Sequence, residues 1–123
     1  MSRRLLAESQ LHPAVRSKVA DWHSSTVDEV AKTVEREAVV IVGMSVNPHV
    51  KKARAELTRR GITFTYLEYG GYLGRWRQRT ALKMWSGWPT FPMIFVNGVL
   101  VGGASDLLRL AESGGLDALL ATP

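Results

Sequence analysis

The sequence predicts an α/β fold: one mixed four-stranded sheet with helices on both faces. Three observations carry that prediction. AVVIVG (38–43) is a continuous, largely β-branched run, the pattern of a strand covered on both faces. It is followed by Val50, Ala53 and Leu57 at helical spacing, and then by the alternating stretch ITFTYLE (62–68). Strand, helix and strand in that order make a parallel pair with a right-handed crossover. Finally, MIFVNGVLV (93–101) is two apolar runs joined at Asn97-Gly98, the turn signal of an antiparallel hairpin.

The elements follow in order. Residues 1–12 read as a short helix or a loosely held arm, and Pro13 suits the first turn of the helix after it. Val15, Val19, Trp22, Thr26, Val30 and Val34 line one face of a helix, or of two helices bent near Ser24-Ser25. Asp28 and Glu29 suit the positive end of the second piece. After the strand 38–43 comes a turn, then the helix of Val50, Ala53 and Leu57, which Gly61 ends. YGGYLG (69–74) reads as loop. Residues 75–86 form a helix with Trp76, Leu82 and Trp85 as inward groups. GWPTFP breaks regular structure at Pro89 and Pro92, and Gly102-Gly103 lead into a last helix. That helix starts at Ser105 or just before and is interrupted at Gly114-Gly115. The organisation is an N-terminal helical extension, 1–25, and one domain, 26–123.

Composition narrows the chemistry. With 123 residues, 46% of them hydrophobic, the chain can bury one core. No apolar run reaches the roughly 20 residues of a membrane span, and RRLL near the start opens no secretory signal. The cysteine count is zero, which removes disulfides, thiolate nucleophiles and cysteine-ligated clusters. His12, His23 and His49 form no pair at ligand spacing, so no metal site is expected. The net charge of +5 gathers in Lys51, Lys52, Arg54, Arg59 and Arg60, and again in Arg75, Arg77, Arg79 and Lys83. Each run is either a solvated helix face or an anion site for nucleic acid or a carboxylate ligand.

SGWPTFPMIFVNGVLVGGASDLLRL (86–110) resembles the second half of a glutaredoxin, the monothiol branch above all. TVDEVAKTVEREAVVIV (26–42) is similar to that branch's first helix and strand. The resemblance covers roughly residues 26–120 and implies a thioredoxin-like fold. In the family, Cys-x-x-Cys or Cys-Gly-Phe-Ser stands where the first strand meets the helix. Aligned on that junction, Asn47 replaces the nucleophilic cysteine and Val50 the resolving position. The resemblance thus implies a site without thiol–disulfide exchange or cluster binding, with no catalytic residue and no required cofactor. It also implies a retained groove for glutathione. Thr90-Phe91-Pro92 matches the threonine-x-cis-proline loop, whose residue before proline pairs by backbone with the cysteine of glutathione. Ala104-Ser105 matches the pair, usually ending in Asp, that takes the γ-glutamyl end. Arg79 and Lys83 match basic positions that hold the glycine carboxylate, while a family lysine appears here as Met44.

At the junction two readings stand. Asn47-Pro48 is a helix opening, Asn as N-cap and Pro at the first helical position, or Asn47 also hydrogen-bonds a bound thiol or peptide amide. His49 is a surface histidine or a general base, and Ser45 is a further candidate nucleophile. Trp88 either packs or lines the groove. Three function classes follow: a non-catalytic module binding glutathione, a peptide or a protein; an enzyme of non-thiol chemistry at His49 or Ser45; and an anion- or nucleic-acid-binding protein. The first is the expectation, for a cytoplasmic chain without a membrane partner. The face of Val15, Val19 and Trp22 packs on the domain or forms a homodimer contact.

Overall fold

The computed structural model describes residues 3–122. Elements in chain order are α1 (Pro13–Asp21), α2 (Ser24–Arg36), β1 (Val39–Gly43), α3 (Pro48–Arg59), β2 (Thr65–Glu68), α4 (Trp76–Ser86), β3 (Met93–Val96), β4 (Val99–Gly102), α5 (Ala104–Glu112) and α6 (Gly115–Ala121). A 3-10 turn, Glu8–Gln10, precedes them. The sheet order is β2-β1-β3-β4, with β1 and β2 parallel and the other neighbours antiparallel. Among the described residues, no helix is long and apolar enough to cross a membrane.

β1 is buried along its whole length, and its side chains alternate between two cores. Val40 and Val42 join Val30 and Val34 of α2 and Leu82 of α4. Val39 and Ile41 join Ala53 and Leu57 of α3, Leu107 and Ala111 of α5, and Leu116 of α6. β3 divides likewise, Met93 and Phe95 to one core, Ile94 and Val96 to the other. Each such fully buried aliphatic side chain stabilises the fold by about 1.5–3 kcal/mol relative to exposure. The hairpin turn has φ of 48° at Asn97 and 81° at Gly98, the two positive values that a type I′ turn needs.

The structure differs from the sequence reading at three elements. The N-terminal helical face is two helices, and the break falls at Trp22-His23, where His23 has φ of 44°. Position 25/26, the expected domain boundary, lies in the first turn of α2. β2 starts at Thr65 rather than at residue 62, because its pairing with β1 runs only from Val40–Thr65 to Gly43–Glu68. Ile62 and Phe64 still pack on the α3 core as extended chain. On α4 the inward residues are Arg79, Ala81 and Leu82. Trp76 instead faces solvent at 54% exposure beneath the Arg77 guanidinium, and Trp85 sits at the rim against Phe95, ring centroids 5.7 Å apart. Val15, Val19 and Trp22 remain exposed.

Candidate functional site

The loop from β1 to α3 begins at Met44, which is buried. The Ser45 N–H donates to the Gly70 carbonyl at 2.7 Å, and its hydroxyl donates to the same oxygen at 3.2 Å. Val46 is 86% exposed and holds φ of 54°, a conformation that costs a β-branched residue about 1–3 kcal/mol. Asn47 then caps α3. Its Oδ1 accepts the His49 N–H at 2.9 Å and the Val50 N–H at 3.1 Å, with Pro48 at the first helical position. Two of the helix's free donors are thereby satisfied by one side chain. Val50 turns inward and is 3% exposed.

Two clefts open on either side of this turn. His49, Thr90, Phe91, Pro92, Ala104 and Ser105 line one of about 220 Å³. The Phe91–Pro92 peptide is cis. Trp88, Gly103 and Asp106 complete the wall. The other cleft, about 500 Å³, is lined by Met44, Asn47 and Val50 together with Lys51, Arg54 and Tyr66. Of the residues that the sequence nominates for one groove, six are thus together, and Asn47 faces the neighbouring cleft.

Arg79 and Lys83 are not part of either wall. Arg79 is 9% exposed, and its Nη1 donates to the carbonyls of Tyr69 at 2.9 Å and Gly74 at 2.6 Å. Its guanidinium thereby ties α4 to the loop 69–74. Lys83 is exposed, its Nζ 5.8 Å from the centre of the Phe91 ring.

Two wall residues carry polar groups beyond those nominated. Asp106 Oδ2 accepts the Gly103 N–H at 3.0 Å and Oδ1 accepts Arg109 at 3.2 Å. The backbone bond from Gly103 is the main cause that holds this carboxyl below its usual range. The signal was present as an acid three residues into a helix that begins after Gly-Gly. Trp88 Nε1 is a buried donor with no partner among the described residues. Those residues hold no cluster of three His, Asp or Glu fit for a metal ion.

Residues 39–101 match the Glutaredoxin family model. The chain is 38% identical over 115 residues to "Glutaredoxin-like protein" of Dictyostelium discoideum, covering 94% of this chain and 92% of that one. A match leaving so little out takes in α1. Among solved structures, wheat glutaredoxin is 28% identical with a TM-score of 0.68, covering 77% of this chain and 90% of its own. A buckwheat glutaredoxin–glutathione complex is 16% identical with a TM-score of 0.71, covering 81% and 91%, and speaks for the fold alone. Strand order, helix placement and these matches agree: the chain belongs to the glutaredoxin family.

Proposed function

We propose that this chain is a non-redox member of its family, a binding module that keeps part of the glutathione groove. The observation that carries the reading is Asn47. It stands at the family's nucleophile position in a chain with no cysteine, and its side chain is spent on capping α3. A carboxamide does not attack a disulfide, and Val50 at the resolving position is core. Ser45 is engaged with Gly70, which speaks against a nucleophilic role for it.

The cleft beside that turn supports ligand binding. It combines the Phe91–Pro92 loop, the start of α5 and the Trp88 side chain in one concave wall. The ligand is glutathione, or a peptide whose backbone pairs with Phe91 in the same way. Ser105, with a hydroxyl where a carboxylate is usual, grips the ligand's ammonium weakly.

The test is a backbone NMR titration with glutathione to about 10 mM, a range suited to weak binding. The amides of Phe91 and Ser105 and the Trp88 indole N–H are expected to shift. Unmoved signals there overturn the retained groove. Ser105→Asp is expected to tighten binding about two- to fivefold, the worth of an exposed ion pair. A disulfide reductase assay is expected to read zero, and turnover by pure protein overturns the non-redox reading separately.

A further inference from the structure

We propose that the outer side of α3 and the free edge of β2 form a second site, which takes an extended acidic peptide segment. It is separate from the cleft at Phe91–Pro92 and does not depend on glutathione binding. Two clefts adjoin here, of about 500 and 450 Å³, sharing Lys51 and Arg54. Together they make a channel along one side of α3, from Asn47 at its cap to Arg59 at its last residue, about 18 Å by helical rise and so the span of a short extended chain. One wall is a helical stripe at steps of three and four, Lys51, Arg54, Ala55 and Thr58. The other is Phe64 and Tyr66, two apart on extended chain and so on one face.

The charge of the channel is unbalanced. Glu56 is consumed by Arg59 at 2.5 Å and Arg60 at 2.7 Å. Lys51 and Arg54, which line both clefts, have no carboxylate within ion-pair distance among the described residues. Glu68, the acid in the lining, accepts the Tyr66 hydroxyl at 2.9 Å. Arg54 sits over the Tyr66 ring, its Cζ 4.1 Å from the ring centre. The ring contact restrains the guanidinium, whose N–H groups can still donate to a carboxylate.

The backbone completes the site. β2 is an edge strand, paired only with β1, so alternate peptide groups along it face outward with no partner strand. An added strand meets those groups with main-chain hydrogen bonds, while its side chains meet the channel. At the end of the channel Val46 presents an exposed apolar side chain to a partner. A peptide is favoured over single-stranded nucleic acid because Arg54 already covers Tyr66. Stacking bases need open aromatic faces, whereas strand addition needs none.

The test uses the full chain and a fluorescein-labelled peptide of alternating Glu and Val. Saturable binding is expected, with NMR shifts at Thr65–Glu68 and slowed amide exchange on β2. Lys51→Glu with Arg54→Glu is expected to weaken binding about tenfold or more. Arg77→Glu on α4 leaves it unchanged. Both sets lie on exposed positions, and circular dichroism checks that each variant folds. No binding at about 1 mM peptide, equal binding of a Lys–Val peptide, or binding indifferent to the α3 charge reversal overturns the proposal. Binding of oligothymidylate with a steep salt dependence, and not of the Glu–Val peptide, replaces it with nucleic-acid recognition.

Discussion

A Cβ built on Gly43 would fall 2.9 Å from both methyl groups of Val50 and 3.0 Å from the Tyr66 ring. The last residue of β1 is therefore the floor on which the first turn of α3 rests. Val50 is a core position, 3% exposed, and its closeness to Gly43 fixes how α3 leaves the strand.

Gly43→Ala is expected to destabilise the fold by about 1–3 kcal/mol, the cost of overpacking a filled core. Neither neighbour is the free end of a flexible side chain, so α3 or β2 has to move. Val50→Ala alone also costs stability, by opening a cavity. Combined with Gly43→Ala it is expected to be less harmful than the sum, because the two changes share one space. Urea midpoints of the two single variants and the double variant check this. Additive losses contradict the contact.

Asn47→Ala is expected to cost about 1 kcal/mol through the lost cap. Asn47→Asp keeps an acceptor oxygen at the positive end of the helix and is expected to be neutral or stabilising. Asn47→Cys places a sulfur where two α3 N–H groups converge. Its thiol is expected to ionise below the ordinary value of about 8.5. Thiolate absorbance against pH reads this directly, and an ordinary value means that the turn rearranges.

How much of this was legible follows from what each residue depends on. β1 was plain from AVVIVG, because a strand covered on both faces needs no partner pattern to declare itself. Asn47-Pro48 announced a cap for the same local reason. The extent of β2 was not local: ITFTYLE alternates throughout, but pairing begins only where Val40 meets Thr65. Trp76 and Arg79 were exchanged, since an aromatic residue reads as inward and a guanidinium as outward. The carbonyls that draw Arg79 inside belong to a loop whose path no periodicity reveals. Likewise, the partition of Asn47 and His49 into different clefts depends on which way one helical turn faces the sheet edge.

Arg79→Leu is expected to destabilise by about 1–3 kcal/mol, since it strands carbonyls of Tyr69 and Gly74. Arg79→Lys is expected to cost less, as an ammonium can still donate there without the guanidinium's fixed fork. The effect should reach the site. The Ser45 N–H is bonded to Gly70 within the same loop, so its hydrogen exchange is expected to quicken in both variants. Unchanged exchange at Ser45 means that the loop keeps its place without Arg79.

The alkaline limb of stability should report on Tyr69. This residue is 5% exposed, and its hydroxyl donates to Glu29 of α2. Burial first, and the bond to Glu29 second, push its phenol well above the ordinary value of about 10. Burial likewise pushes Tyr66 up to about 12, with Glu68 adding to it. A group whose folded value is raised binds its proton more tightly in the folded chain. Its contribution is complete below about pH 10 and fades as pH rises toward the folded value. Lysines titrate in the same range, so the informative quantity is the difference between wild type and Tyr69→Phe. The variant lacks the bond to Glu29 and is expected to be less stable at pH 8. Between about pH 10 and 12 it should lose less than wild type, so that the two curves converge. Parallel curves from denaturant midpoints across that range rule out Tyr69 as the group that titrates. Tyr66→Phe gives the matching test at the channel beside α3, where convergence is expected over the same window.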